Sequence, residues 1–147
     1  MGVRGIMNDV LRHHVGLDNQ DVRPPVYIAG CFGGNPTANT QVAIQVGKVA
    51  QKAGYAPFVP HTSILSGVYG CDDILEERNN GMVSTLSLVV FFASQPIAHL
   101  WVIEKKDGSL SQGTQMEHDI WGQIRQGLNL PLNLVRKKAH EYIKVAS

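Results

Sequence analysis

The sequence predicts a doubly wound α/β domain, a mostly parallel sheet of four or five strands with helices on both faces. Three observations predict it. Short apolar runs rich in β-formers alternate with stretches of helical periodicity. The first such run, Val26 to Gly30, leads into a Gly-rich loop ahead of a helix. Hydrophobic residues make up 44% and charged residues 17% of the 147-residue chain, a globular composition of single-domain size.

Residues 1–24 read as an N-terminal extension and 25–147 as one domain. Ile6, Val10 and Leu11 suit a short amphipathic helix that Gly16 would end. Pro24-Pro25 then sets an extended entry. Val26-Tyr27-Ile28-Ala29 reads as a buried strand, and Gly30 to Pro36 as a loop. Thr37 or Asn39 would cap the next helix, whose Val42, Ala43, Val46, Val49 and Ala50 build one apolar stripe, with Gly54 as its stop. Ala56 to Pro60 reads as a second, short strand.

His61 to Gly70 reads as a loop, and Asp72 or Asp73 as the start of a helix running to about Leu86. Leu88-Val89-Val90-Phe91-Phe92 has the continuous apolar character of a central parallel strand. A long loop from Ser94 to Gln112 would follow, then a helix from Gly113 to Gln126 ended by Gly127. Leu130 to Val135 would be a last strand and Lys137 to Val145 a last helix. In such sheets ligands bind at the carboxyl ends of the strands, where the loops after Ala29, Val59 and Phe92 would open.

The net charge is +1 with His neutral, which excludes a strong field toward nucleic acid polymers or acidic membranes. The basic cluster Arg136-Lys137-Lys138 reads as a solvated helix face. Cys31 and Cys71 form no CxxC pair and His13-His14 has no second ligand pair, so no metal is expected. Reduced thiols, no apolar run near the ~20 residues of a membrane span and no signal-peptide pattern make the cytoplasm the expected location.

Two constellations carry chemistry. In Tyr27-Ile28-Ala29-Gly30-Cys31-Phe32-Gly33-Gly34 a Gly-rich turn stands beside a helix N-terminus and offers backbone N–H groups to an anion. It is neither GxGxxG nor a P-loop, and a generic strand-to-helix turn would also use Gly. In Ser111-Gln112-Gly113-Thr114-Gln115-Met116-Glu117, Ser111 precedes a helix start and Glu117 lies within its first turns. A hydroxyl and free N–H groups there suit a phosphate or a sugar hydroxyl, and the carboxylate suits attack on an anomeric carbon. Plain capping by Ser111, with Glu117 on the surface, fits the same residues.

Together, Y-x-A-G with a Gly-rich loop, the Pro60-His61 pair, an apolar strand and S-x-G-T-x-x-E resemble the nucleoside 2-deoxyribosyltransferase family over about residues 26–135. The resemblance implies that Glu117 is the nucleophile on C1′ and that Tyr27 hydrogen-bonds it. The family's transferases carry an Asp where this chain has Ser111. Ser there is similar to the branch of nucleoside-5′-monophosphate N-glycosidases, typified by CMP hydrolases, and a hydroxyl suits a phosphate dianion better than a carboxylate does.

The resemblance thus implies an enzyme that hydrolyses the N-glycosidic bond of a nucleoside 5′-monophosphate without a cofactor. Gly30, Cys31, Phe32, Gly33, Gly34, His61, Asn79, Ser111 and Gly113 would bind substrate. It also implies a homodimer or higher homo-oligomer. A base-exchanging deoxyribosyltransferase and a nucleotide-binding sensor without turnover are the alternatives. The chain departs from the family at Asn79, where an Asp often serves the departing base, and at His118-Asp119-Ile120-Trp121, where small residues usually follow the nucleophile. His61, Asp72 and Asp73 are then the candidates for leaving-group protonation. His99 and Trp101 read equally as cover for a base or as loop packing.

Overall fold

The structure, a computed structural model, describes residues 2–63 and 74–142. It is a doubly wound α/β fold. Four parallel strands stand in the order β2-β1-β3-β4: β1 Pro25–Ala29, β2 Ala56–Phe58, β3 His99–Glu104 and β4 Leu134–Lys138. Helix α1 (Val3–Val15) precedes the sheet. Helix α2 (Pro36–Lys52) joins β1 to β2, the short α3 (Pro60–Ser63) and α4 (Leu75–Ala93) lie between β2 and β3, and α5 (Gln112–Gly127) joins β3 to β4.

Alternation along the two central strands sorts the core into two layers. Val26, Ile28, Trp101 and Ile103 face Ala43, Val46 and Ala50 of α2. Tyr27, Ala29, Leu100 and Val102 face Val89 and Ala93 of α4 and Trp121 of α5. All these side chains are buried. The chain runs from β1 outward to β2, then returns to pair β3 against the other side of β1, in the register Tyr27 to Leu100 and Ala29 to Val102. The loop after β1 therefore leaves toward one face and the loop after β3 toward the other. A crevice opens between them at the carboxyl ends.

The extension folds as the apolar spacing predicts: α1 ends at Gly16, whose φ of 69° is the left-handed conformation that glycine adopts without strain. Asn8 ties the helix to the following segment, donating to the Arg4 and Gln20 carbonyls and accepting from the Gln20 N–H. The cap of α2 is Asn35, with Pro36 in the first turn, rather than Thr37 or Asn39.

The second half differs from the sequence expectation. Leu88-Val89-Val90-Phe91-Phe92 is the last part of α4, not a strand. That helix buries a stripe of Gly81, Thr85, Val89 and Ala93 while leaving Val83, Val90 and Phe91 exposed. It is apolar on most sides, so its run mimics a buried strand. The central strand lies in the segment read as a long loop: Leu100, Trp101, Val102 and Ile103, between His99 and Glu104. The connection before α5 is correspondingly short.

The last strand begins at Leu134, later than expected, because Asn129 and Asn133 take left-handed conformations on either side of Pro131 and keep that stretch out of the sheet. Arg136-Lys137-Lys138 belongs to this strand and not to a helix. Its edge position in the sheet leaves the charged heads in reach of water. A 3-10 turn, Ala139–Glu141, follows it where a helix to Val145 was expected. Cys71, Asp72, Asp73, most of the His61–Gly70 loop and the chain beyond Tyr142 lie outside the described residues.

Arg125 locks the bottom of the α4–α5 layer. It is fully buried, and its guanidinium donates to the carbonyls of Ala93, Gln95, Pro96 and Pro131 at 2.6–3.1 Å. These carbonyls include the otherwise unpaired end of α4, whose partial negative charge suits the cation. Among the described residues no helix is long and apolar enough to cross a membrane.

Candidate functional site

The crevice between β1 and β3 is a cleft of about 210 Å³. Its walls come from four stretches: the β1 end with Gly30, Cys31, Phe32 and Gly33; Pro60 and His61 of α3; Arg78, Met82 and Thr85 of α4; and Ser111 to Thr114 with Glu117 of α5. The two sequence constellations therefore meet in one place.

Glu117 belongs to the face of α5 that also buries Thr114, Trp121 and Arg125, a spacing of three and four residues. That periodicity carries the carboxyl inward, and the residue is only 8% exposed. Burial pushes its pKa up to about 7, against a hydrogen bond from Tyr27 that pulls it down. Tyr27 reaches the floor of the cleft from β1. Its ring packs against Phe58 and Phe92. Its single hydroxyl proton is shared between the Thr85 carbonyl, 3.4 Å away, and the Glu117 carboxyl that it faces. Burial first, then the charge of Glu117, raise the Tyr27 pKa, so the phenol stays a protonated donor.

Ser111 caps α5. Its Oγ accepts from the Thr114 N–H at 3.3 Å and donates to the Thr114 hydroxyl at 2.8 Å. The capping role read from the sequence is thus real, while Glu117 is not the surface residue that went with it. No acidic residue occupies the first turn of α5. On the other wall, Asn39 donates to the carbonyls of Phe32 and Gly33 at 3.3 and 2.9 Å. Because a trans peptide sets its N–H opposite its C=O, the Gly33 and Gly34 N–H groups point away from Asn39. Gly34 holds a φ of 82° and makes the turn without lining the cleft. A Cβ on Gly30 would come within 3.1 Å of Ile103 Cδ1, so this strand end is matched to a residue without a side chain.

His61 is 1% exposed. Its Nε2 lies 3.0 Å from the Cys31 carbonyl, which accepts only, so Nε2 carries the proton and Nδ1 is an acceptor. Nδ1 is buried and has no partner. Desolvation holds the imidazole pKa below its usual value, opposed by the Cys31 and Gly30 carbonyls. His61 therefore stays neutral and presents no proton from Nδ1.

The structure brings Tyr27, Gly30, Cys31, Phe32, Gly33, His61, Ser111, Gly113 and Glu117 to one cleft. Asn79 is exposed on α4 and does not line it. Sequence reasoning missed Arg78, Met82 and Thr85. Their spacing of four and three, within the helix expected to run to about Leu86, could have signalled a shared face. His99 packs its ring on Tyr55 and Trp101 is buried in the α2 layer, so both serve packing. Among the described residues no group of three or more His, Cys, Asp or Glu is placed to hold a metal ion. No curated protein and no solved structure matches the chain. Residues 24–129 match a family described as a domain of unknown function (DUF7768), and the chain belongs to that family.

Proposed function

We propose that the cleft binds a nucleoside 5′-monophosphate and that Glu117 cleaves its N-glycosidic bond. One observation carries the reading: a buried carboxyl and a tyrosine hydroxyl face each other at the floor of a cleft whose rim is a capped helix N-terminus. The Glu117 carboxylate attacks C1′ and forms an ester as the C1′–N bond breaks. The base leaves with the bonding pair and takes up a proton. Water then adds at C1′, losing a proton and freeing the carboxylate. Tyr27 holds Glu117 in position. Its hydrogen bond also favours the ionised form that the attack requires. The resemblance in Y-x-A-G and S-x-G-T-x-x-E supports the same assignment.

A second reading, binding without turnover, draws on another observation. Among the described residues Glu117 is the one carboxyl lining the cleft, and Asn79 lies outside it. Glycosidases ordinarily use two carboxyls, one of them an acid. Here Asp72 and Asp73, outside the described residues, are the remaining sequence candidates for that acid.

Incubation with a panel of nucleosides and their 5′-monophosphates, followed by chromatography for free base, decides between them. Base release from monophosphates, abolished by Glu117→Ala, is the expected result. Exchange requiring an added base would point to transfer. Binding with no release by either route would establish the non-catalytic reading.

A further inference from the structure

The α2 face of the sheet holds a second and larger cavity, of about 770 Å³. The packing of α2 explains it. The fully buried stripe of that helix begins at Ala43, so the turns before it overhang the sheet instead of lying on it. Beyond β4 the chain turns at Ala139–Glu141, and Ala139 and Tyr142 pack against the same layer. A space is left between the start of α2 and that turn, bordered by Ile103 and by Gly30 and Cys31. Among the described residues only Gly30 and Cys31 border both this cavity and the cleft of Glu117.

Its lining has two characters. Val42, Ile103 and Ala139 belong to the apolar α2 layer, and Ile103 is buried. Lys105 and Lys106, exposed just past the end of β3, bring two cations. Among the described residues Glu104 is the one acid in the lining, and Arg136 holds its carboxylate at 3.3 Å. Two further acids stand nearby but off the lining. Asp107 accepts from the Ser109 N–H and hydroxyl, and its carboxylate also feels Lys105. Glu141 is exposed beside Tyr142. On the same face Lys137, in register with Ile103, sets its Nζ 4.2 Å from the centre of the Trp101 ring.

A concave, apolar surface of this volume is of the size that holds small ligands. Its floor favours an apolar body, and its cationic edge favours an anionic end that stays near water. One negative charge suits the edge better than two, because a dianion would meet twice the repulsion from Glu104.

We propose that this cavity is a second ligand site, separate from the cleft, that takes a small aromatic or branched aliphatic carboxylate. Lys105 and Lys106 face its carboxylate, and Val42, Ile103 and Ala139 take its apolar body. The proposal is independent of the nucleotide reading, which concerns the other side of the sheet.

The test follows backbone amide shifts by nuclear magnetic resonance while the full chain is titrated with phenylacetate, phenylacetamide and phenethylamine. Phenylacetate should bind in the low millimolar range, as roughly ten heavy atoms of ordinary efficiency give. The amides of Gln41, Gln45, Lys105 and Lys106 should shift, and those of Gly113 and Thr114 should not. Phenylacetamide should bind about threefold or more weakly, and phenethylamine more weakly still. Replacing both lysines, Lys105→Gln with Lys106→Gln, should bring phenylacetate down to the affinity of the amide. Ala38→Phe, at an exposed position in the lining, should fill the cavity and abolish the shifts. The lysine variant carries the comparison if Ala38→Phe does not fold. The site is overturned if phenylacetate gives no saturating shift at tens of millimolar, or if the shifts fall in the cleft instead. Equal binding of the three compounds, or binding that survives Ala38→Phe, would overturn it as well.

Discussion

The Tyr27 hydroxyl and the Glu117 carboxyl, one from the central strand and one from the second turn of α5, meet at the floor of the cleft. Neither would sit there without the other's layer: β1 carries the phenol through the core, and α5 turns the carboxyl inward.

The first prediction concerns stability against pH. The Glu117 pKa is about 7 in the folded protein and near its ordinary 4.5 in the unfolded chain. Between these values the folded state keeps a proton that the unfolded state has released. Stability therefore falls as pH rises through this window and levels off above it. The loss is on the order of 3 kcal/mol. Glu117→Gln should flatten this slope and be more stable than wild type at pH 8. Urea unfolding at several pH values measures it, and parallel curves for the two proteins would refute it.

The second concerns Tyr27. Its hydrogen bond pulls the Glu117 pKa down. Tyr27→Phe keeps the ring packing on Phe58 and Phe92 but removes that bond. On the proposed reaction, the ascending limb of the cleavage rate should lie near pH 7 in wild type and move to higher pH in the variant. A pH–rate profile unchanged in position would separate Tyr27 from the carboxyl.

Arg125→Met should be severe. It removes the hydrogen bonds to the buried Ala93 carbonyl and to the carbonyls of Gln95, Pro96 and Pro131, at a cost of about 3–5 kcal/mol. Thermal unfolding should show a large drop in Tm. Arg125 does not line the cleft, so ligand affinity measured well below the transition should be unaltered. A variant with wild-type stability would mean that the carbonyls find water instead.

Gly47 offers a packing test. A Cβ there would lie 3.0 Å from Val59 Cγ2. Gly47→Ala should cost about 1–3 kcal/mol through overpacking. Val59→Ala, harmful alone, should recover part of that loss when combined. Additive effects in the double-mutant cycle would show that the two residues do not press on each other.

Legibility from the sequence followed the strength of the local pattern. Val26 to Ala29, bounded by Pro25 and Gly30, was unambiguous, and α5 revealed itself by Ser111 and the periodicity through Trp121. Those two elements hold most of the cleft. The α4–β3 region was not legible, because no Asp, Glu, Lys or Arg occurs between Asn79 and Ile103. Two apolar runs stand there, and Leu88–Phe92 is the more hydrophobic to the eye although Leu100–Ile103 is the more buried. Arg78 lines the cleft while its neighbour Asn79 faces solvent. Asn79→Ala should accordingly leave ligand affinity unchanged in calorimetric titrations with the nucleosides and their 5′-monophosphates.

The central position of β1 also governs how the chain matures on the ribosome. One edge of β1 can pair with β2 as soon as Phe58 has emerged. The other must wait for β3, because the register joins Val26 to His99. Until then the nascent chain holds β1 unpaired along one side, and until α4 follows it holds Tyr27 and Ala29 uncovered on one face. Such an intermediate is slow to close and prone to join a neighbour of its own kind. Yield from a cell should therefore depend on chaperone supply and on growth temperature more steeply than the stability of the finished domain would suggest.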